Sequence, residues 1–359
     1  IYNSGTIGNI SGDFIDNKTN YGTSGVIHNI GTIGDISGNF VNGIYGYSSR
    51  ANIIYNENGT IGNIIGNFVN GRYAIYNENG KTGNIAGNFF ENRNAIYNTN
   101  GTMGDIKANF FSNDQAILNE KGIIGNITGD FINNNDGIKN QEGTIGNITG
   151  DFINNDLLGQ NNGVIYNNKG TIGDITGDFI NNRATNSDTA IIYNVAGTIG
   201  NIAGDFIGNI GDIIYNNGEI GNITGDFINN FSENKESIIN NREQSIIGDI
   251  TGNFIENSRA IGNYGSIDNI TGYFGGNSTY TSYYGGYTSG GAICNYGTIK
   301  DITGYFINNH IDDGASGGAI GNGGFIDNIT GDFVGNYAYD NNSGYYSDAF
   351  GGAISNSGV

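Results

Sequence analysis

Five aspartates, Asp130, Asp151, Asp178, Asp205 and Asp226, hold the same place in a recurring phrase, written GTIGNITGDFINN over residues 143–155. If the copies stack, each neighbouring carboxylate pair repels by on the order of 1 kcal/mol even at water-like dielectric. A hard cation such as Ca²⁺ between the carboxylates would relieve that repulsion. The alternative is a solvated acidic face that keeps the protein soluble, and no RTX nonapeptide is present to favour calcium. Glycoside hydrolysis would need two or more carboxylates in one cleft, usually with basic residues, in a constellation that breaks the repeat. The Asp residues instead occupy repeat columns and the 14 Lys and Arg are scattered, so an enzyme is not expected. Cys294 takes the outward slot between Ile293 and Asn295 with no His nearby in sequence, which marks a surface thiol rather than a nucleophile. His28 and His310 lie too far apart in sequence for a metal motif.

The period determines what positions these groups. Phenylalanine recurs at 14, 40, 68, 89, 110, 131, 152, 179, 206, 227, 254, 274, 306 and 333, with 21 residues the commonest interval. Within each unit the spacing is fixed: Ile145, Ile148 and Phe152 are three and then four residues apart. Only Thr82 and Met103 replace Ile at the first of these positions. Upstream stands a second constant element, as in Ile75-Tyr76-Asn77 and Ile165-Tyr166-Asn167.

A unit this short cannot bury its apolar side chains alone, so it must bury them against its neighbours as a solenoid does. Short Ile-rich strands broken by Gly and Asn, with no helical segment between, predict an all-β parallel β-helix of about fourteen rungs spaced ~4.8 Å apart. Such a coil would make a rod of roughly 65 Å. Four apolar ladders would run up the interior. Gly150, Gly177, Gly204 and Gly225 would leave room where the coil is narrow. The Asn after the upstream Ile would cap the turn and stack on its counterparts. A one-residue slip would turn the whole apolar set to solvent, which keeps the spacing fixed.

Composition agrees. Gly is 64 of 359 residues, Pro and Trp are absent, and Leu occurs only at 118, 157 and 158. Helix formers are therefore scarce while a β-branched residue dominates. The net charge of −20 argues against nucleic acid and anionic membrane surfaces as partners. No apolar run of about eighteen residues is present, so direct membrane insertion of this segment is not expected. A single cysteine excludes an intrachain disulfide framework. The chain opens on IYN and stops on GGAISNSGV, both partial repeats, and reads as one continuous β-helix segment, 1–359, of a longer repeat protein.

Length varies in one place only. From the Phe to the next upstream Ile the chain takes 7 residues at Phe89 to Ile96, 13 at Phe14 to Ile27 and 21 at Phe333 to Ile354. All insertions therefore leave from one corner of the coil, and across 258–359 they grow longer and richer in Tyr, Gly and Ser. The segment 277–291 carries Tyr280, Tyr283, Tyr284 and Tyr287; the segment 336–352 carries Tyr337, Tyr339, Tyr345 and Tyr346. Tyr with Ser, Gly and Asn is the composition of antibody recognition loops, in which rigid amphipathic rings supply contact area. The loop at 278–289 is expected to lie outside the coil, where trimming costs little.

The pairing of GGAI, at Gly290–Ile293, Gly317–Ile320 and Gly351–Ile354, with FxxN, at Phe131–Asn134, Phe152–Asn155 and Phe306–Asn309, resembles the tetrapeptide repeats of chlamydial polymorphic membrane proteins. More widely, the chain is similar to bacterial autotransporter passenger domains and surface adhesins. That resemblance implies a right-handed β-helix exported to the cell surface, where it acts in adhesion. The sequence differs from the pattern at Phe40 and Phe68, which are followed by VNG, and it holds no translocating barrel.

Other features have plainer readings. The glycines recur in every unit without GxxxxGK[ST], so they form no phosphate loop. The triplets at Asn126, Asn147 and Asn222 match the glycosylation sequon, but glycans on rungs ~4.8 Å apart would collide. Thr224, Thr251, Thr271, Thr303 and Thr330 form an outward row without a second Thr row beside it, so ice binding is not expected. The expectation is an extracellular, cell-surface rod whose Tyr-rich loops adhere to a glycan or protein of a host or neighbouring cell, or to copies of itself, with no cofactor beyond Ca²⁺ at the acidic slot. A subunit of an extracellular filament or sheath is the alternative, and a polysaccharide-degrading β-helix enzyme stands behind both.

Overall fold

The computed structural model describes residues 1–17, 25–42, 52–157, 162–185, 189–232, 237–280, 289–312, 317–339 and 351–359. Among these every regular element is a β-strand. The chain forms two compact units, residues 1–177 and 178–359, and each is a parallel β-helix, as the repeat predicts.

A rung is legible over 136–153. Its strands are Asp136–Gln141, Thr144–Ile145, Ile148–Thr149 and Phe152–Ile153, each ended by Gly, Asn or a polar residue that cannot continue the pleat. Every strand pairs in parallel with its counterpart on the next rung, in register: Ile117 with Ile138, Ile124 with Ile145, Ile127 with Ile148 and Phe131 with Phe152. The second unit repeats this with Ile214 and Ile239, Ile223 and Ile250, and Phe227 and Phe254.

The four apolar positions point inward as expected. Ile117, Ile145, Ile148 and Phe152 are all buried. Phenylalanine rings stack face to face with centroids 4.7–5.1 Å apart from Phe14 to Phe152 and 4.6–4.8 Å apart from Phe179 to Phe333. Burying each ring is worth ~1.5–3 kcal/mol, and the stack adds roughly 0.5–1.5 kcal/mol per aromatic pair.

Two asparagine ladders share this interior. In the first, Asn98 Nδ2 donates to Asn119 Oδ1 at 2.9 Å and to Gly101 O at 3.0 Å, so the amide both caps its own turn and ties one rung to the next. The second is built from the last residue of FxxN. Asn134 Nδ2 donates to Asn155 Oδ1 at 3.1 Å and to Phe110 O at 3.0 Å, while its Oδ1 accepts from Asn113 Nδ2 at 3.0 Å and from the Asn113 backbone N–H at 2.9 Å. The ladder runs again through Asn209, Asn230, Asn257, Asn277 and Asn309. Buried amides are tolerated here because each finds partners above, below and on the backbone.

The residue just before this second Asn is left-handed: φ is 56° at Asn133 and 53° at Asn154. Asn accepts that region more readily than other non-glycine residues, which explains the doubled Asn of FINN. Gly150 has another task. A Cβ there would lie 2.0 Å from the carbonyl oxygen of Gly129 on the rung before, so the glycine admits the neighbouring backbone rather than relieving a narrow interior.

Candidate functional site

The five aspartates do share a slot, and the carboxylates are engaged there. Asp130 Oδ1 accepts the backbone N–H of Asp151 at 3.0 Å in the first unit. In the second unit Asp178, Asp205 and Asp226 accept the N–H of Asp205, Asp226 and Asn253 at 2.9, 2.8 and 2.9 Å. A parallel row does the same with Asp and Asn mixed: Asp105 Oδ1 accepts from Asn126 N at 2.8 Å, and Asn126 Oδ1 from Asn147 N at 2.9 Å. An acceptor oxygen is the shared requirement of both rows, and the negative charge is incidental to it. Among the described residues no group of three or more His, Cys, Asp or Glu side chains gathers to hold a metal ion.

An aromatic column runs along the outside of the first unit. Tyr55, Tyr76 and Tyr97 stack at 5.0 and 4.7 Å, with His28 against Tyr55 at 4.7 Å. Tyr55 Oη donates to Glu78 at 2.5 Å and Tyr97 Oη to Glu120 at 2.7 Å. Burial, then the bond to the carboxylate, pushes both phenols upward. They stay protonated donors, and the faces the rings turn to one another are closed to a ligand.

Further along, Lys139 lies 5.1 Å above the Tyr166 ring, and Asp136 is near it. Burial raises the Asp136 carboxyl from 3.8 to about 6; Lys139 counteracts this and Asp114 adds to it. Burial lowers Lys139. Asp136 in the folded chain thus holds its proton more tightly than in the unfolded chain. Its presence costs nothing below pH ~4, and the cost grows as pH rises to about 6 and stays thereafter. Asp136→Asn is therefore expected to be more stable than the parent at pH 7 by about 1–2 kcal/mol, less than the full shift because Lys139 loses a neighbour. The gain should vanish at pH 4, as thermal melts across pH 4–7 would show.

The corner from which insertions leave is best defined in the second unit. Just past the FxxN asparagines, Ser278–Tyr280, His310–Asp312 and Tyr337–Tyr339 form a separate three-stranded parallel sheet. Ser278 pairs with His310 and His310 with Tyr337. The same column extends through Arg183 paired with Ile210 and through bridges from Ile210 to Phe231 and from Ser258 to Ser278. The start of the 278–289 segment is therefore strand, and a trimming that spares the fold has to begin after Tyr280.

Of the tyrosines expected to bind, Tyr337 and Tyr339 are 47% and 54% exposed, and the Tyr337 ring stacks on His310 at 4.9 Å. The backbone of Tyr280 belongs to the side sheet. Tyr283, Tyr284, Tyr287, Tyr345 and Tyr346 lie outside the described residues.

Below this sheet a cleft of about 490 Å³ opens, lined among others by Phe231, Glu256, Ser258, Ser278, Thr279 and Asp312. The sequence reading missed these residues. The available signal was Phe231 itself, an aromatic four residues out of phase with the Phe ladder and 56% exposed.

Cys294 corrects an expectation. It occupies the predicted outward slot, paired with Gly262 and Gly321, yet it is 1% exposed rather than a surface thiol. The incoming GGAI backbone lies over the outer face of this strand: a Cβ on Gly321 would meet Ser289 C at 2.3 Å and Gly290 N at 2.8 Å. Burial pushes the thiol upward, while Arg259 and hydrogen bonds from Gly290 and Ser289 pull the other way. Raised and covered, it is no nucleophile. Arg259, 8% exposed, donates to Gly290 O at 3.2 Å, to Thr279 Oγ1 at 3.3 Å and to Ser289 Oγ at 3.1 Å. It thereby fastens the root of the 278–289 segment to the coil.

In comparisons with known proteins the chain matches no family model, no curated protein and no solved structure.

Proposed function

We propose that this protein is an extracellular β-helical scaffold that presents a row of loops from one corner for adhesion at a cell surface. The observation that carries this reading is the side sheet of Ser278–Tyr280, His310–Asp312 and Tyr337–Tyr339. It holds the roots of three successive long connections side by side, next to exposed Tyr337 and Tyr339. A rigid base under Tyr-, Ser-, Gly- and Asn-rich segments limits the entropy lost on binding. The partner is a glycan or protein of a host or neighbouring cell, or another copy of the chain.

The test is to replace 281–288 and 340–350 with short Gly-Ser links, leaving the side sheet and the Arg259 contacts in place. Melting temperature should hold within a few degrees while binding to cells falls at least tenfold. Undiminished binding at matched folding would move the activity elsewhere on the chain. Concentration-dependent self-association lost with the loops would make the partner a second copy and favour a filament.

A further inference from the structure

We propose that the cleft between Phe231 and the side sheet binds a short neutral or amino-bearing saccharide; this rests on the reading of that corner as the adhesive one. The shape comes from residue size along a single column. Ile210, Phe231, Ser258, Ser278, His310 and Tyr337 follow one another rung by rung. Two serines therefore follow the exposed Phe231 ring along the column, leaving a notch with Phe231 as its aromatic wall. Its volume, about 490 Å³, is within the range of small-ligand sites, roughly 300–1,000 Å³.

The polar groups sort into donors and acceptors. Ser258 Oγ accepts the Ser232 backbone N–H at 3.0 Å, and Thr279 Oγ1 accepts from Arg259 at 3.3 Å. Each hydroxyl keeps one proton to donate; Ser258 is half-buried and Thr279 is 7% exposed. Glu256, exposed, and Asp312, half-buried, supply acceptors. A compound that meets adjacent donors and acceptors and also offers an apolar C–H face to an aromatic ring is a sugar. Among the described residues the cleft lining includes no Lys or Arg, so the two carboxylates disfavour uronic or sulfated sugars and favour neutral or amino sugars. The Asp312 carboxylate lies 3.8 Å from His310 (Oδ2 to Nε2).

The experiment uses the full chain. Oligosaccharides of N-acetylglucosamine, glucosamine, galactose and galacturonic acid are titrated against the parent, Phe231→Ala and Glu256→Gln by calorimetry, with reducing ends assayed after each run. The parent should bind at least one neutral or amino oligosaccharide saturably. Phe231→Ala and Glu256→Gln should each weaken it tenfold or more at unchanged melting temperature. Galacturonate oligomers should not bind. No binding by any panel member, equal binding by both variants, or preference for galacturonate would overturn the proposal. Released reducing ends would also overturn it as a binding site and make Glu256 and Asp312 a hydrolytic pair. Cell binding by Phe231→Ala separates this proposal from the adhesion reading. If the variant loses the sugar but still binds cells through the loops, adhesion stands without the cleft. If loop replacement leaves cell binding intact while the sugar still binds, the cleft stands without the loops.

Discussion

Phe152→Asp is expected to lower stability by more than about 4 kcal/mol, enough to unfold a marginally stable coil. The Phe152 ring is fully buried and stacks on Phe131 at 4.8 Å. Removing it forfeits ~1.5–3 kcal/mol of burial. It also leaves a cavity and puts an unpaired carboxylate into that interior. The control is Thr149→Asp on the same rung, where Thr149 is exposed and the change should stay within about 0.5 kcal/mol. Urea titrations of the two variants report the difference. Comparable losses would contradict the placing of Phe152 inward and Thr149 outward.

Asparagine-to-aspartate exchange should separate the buried amide ladder from the exposed acceptor rows. Asn134 is buried and its side chain makes four hydrogen bonds, two given and two received. Asn134→Asp abolishes the two donations, the one to Phe110 O included, and sets carboxylate oxygen against Asn155 Oδ1. The expected cost is about 3–5 kcal/mol at pH 7. At Asn126, where the bond to the next rung uses Oδ1, Asn126→Asp keeps that bond and adds only repulsion from Asp105 on the rung before, so it should cost no more than about 1 kcal/mol. Parallel denaturant midpoints for the pair would decide the matter. Equal tolerance at both positions would contradict the interior placement of the FxxN asparagine.

The apolar ladders were legible in the sequence because the separations of Ile145, Ile148 and Phe152 never vary, and a fixed spacing can be explained only by a fixed inward face. The asparagine after the upstream Ile was legible for the same reason. Less was readable where one residue type serves several ends. Asn133, Asn134 and Asn126 are respectively a left-handed turn residue, an interior ladder member and a surface cap, and letters alone do not separate them. The aspartate slot invites a reading by charge, whereas the alternation of Asp105 with Asn126 in the neighbouring row shows that an acceptor oxygen is what the backbone requires. Parity places Cys294 on the outer face of its strand but cannot tell what covers that face. Nor does it show that Ser278–Tyr280 leaves the coil to make strand pairs of its own.

The identical register of successive rungs has a consequence for inheritance. Excising residues 114–134 would join Asn113 to Asn135, bring Phe110 against Phe152 and Asn113 against Asn155, and leave every ladder continuous. Duplicating the same stretch would be equally silent to the neighbours. A gene written in such units can gain or lose copies by unequal recombination without passing through an unfoldable intermediate. Its length is then free to drift or to be selected, while the corner segments diversify independently.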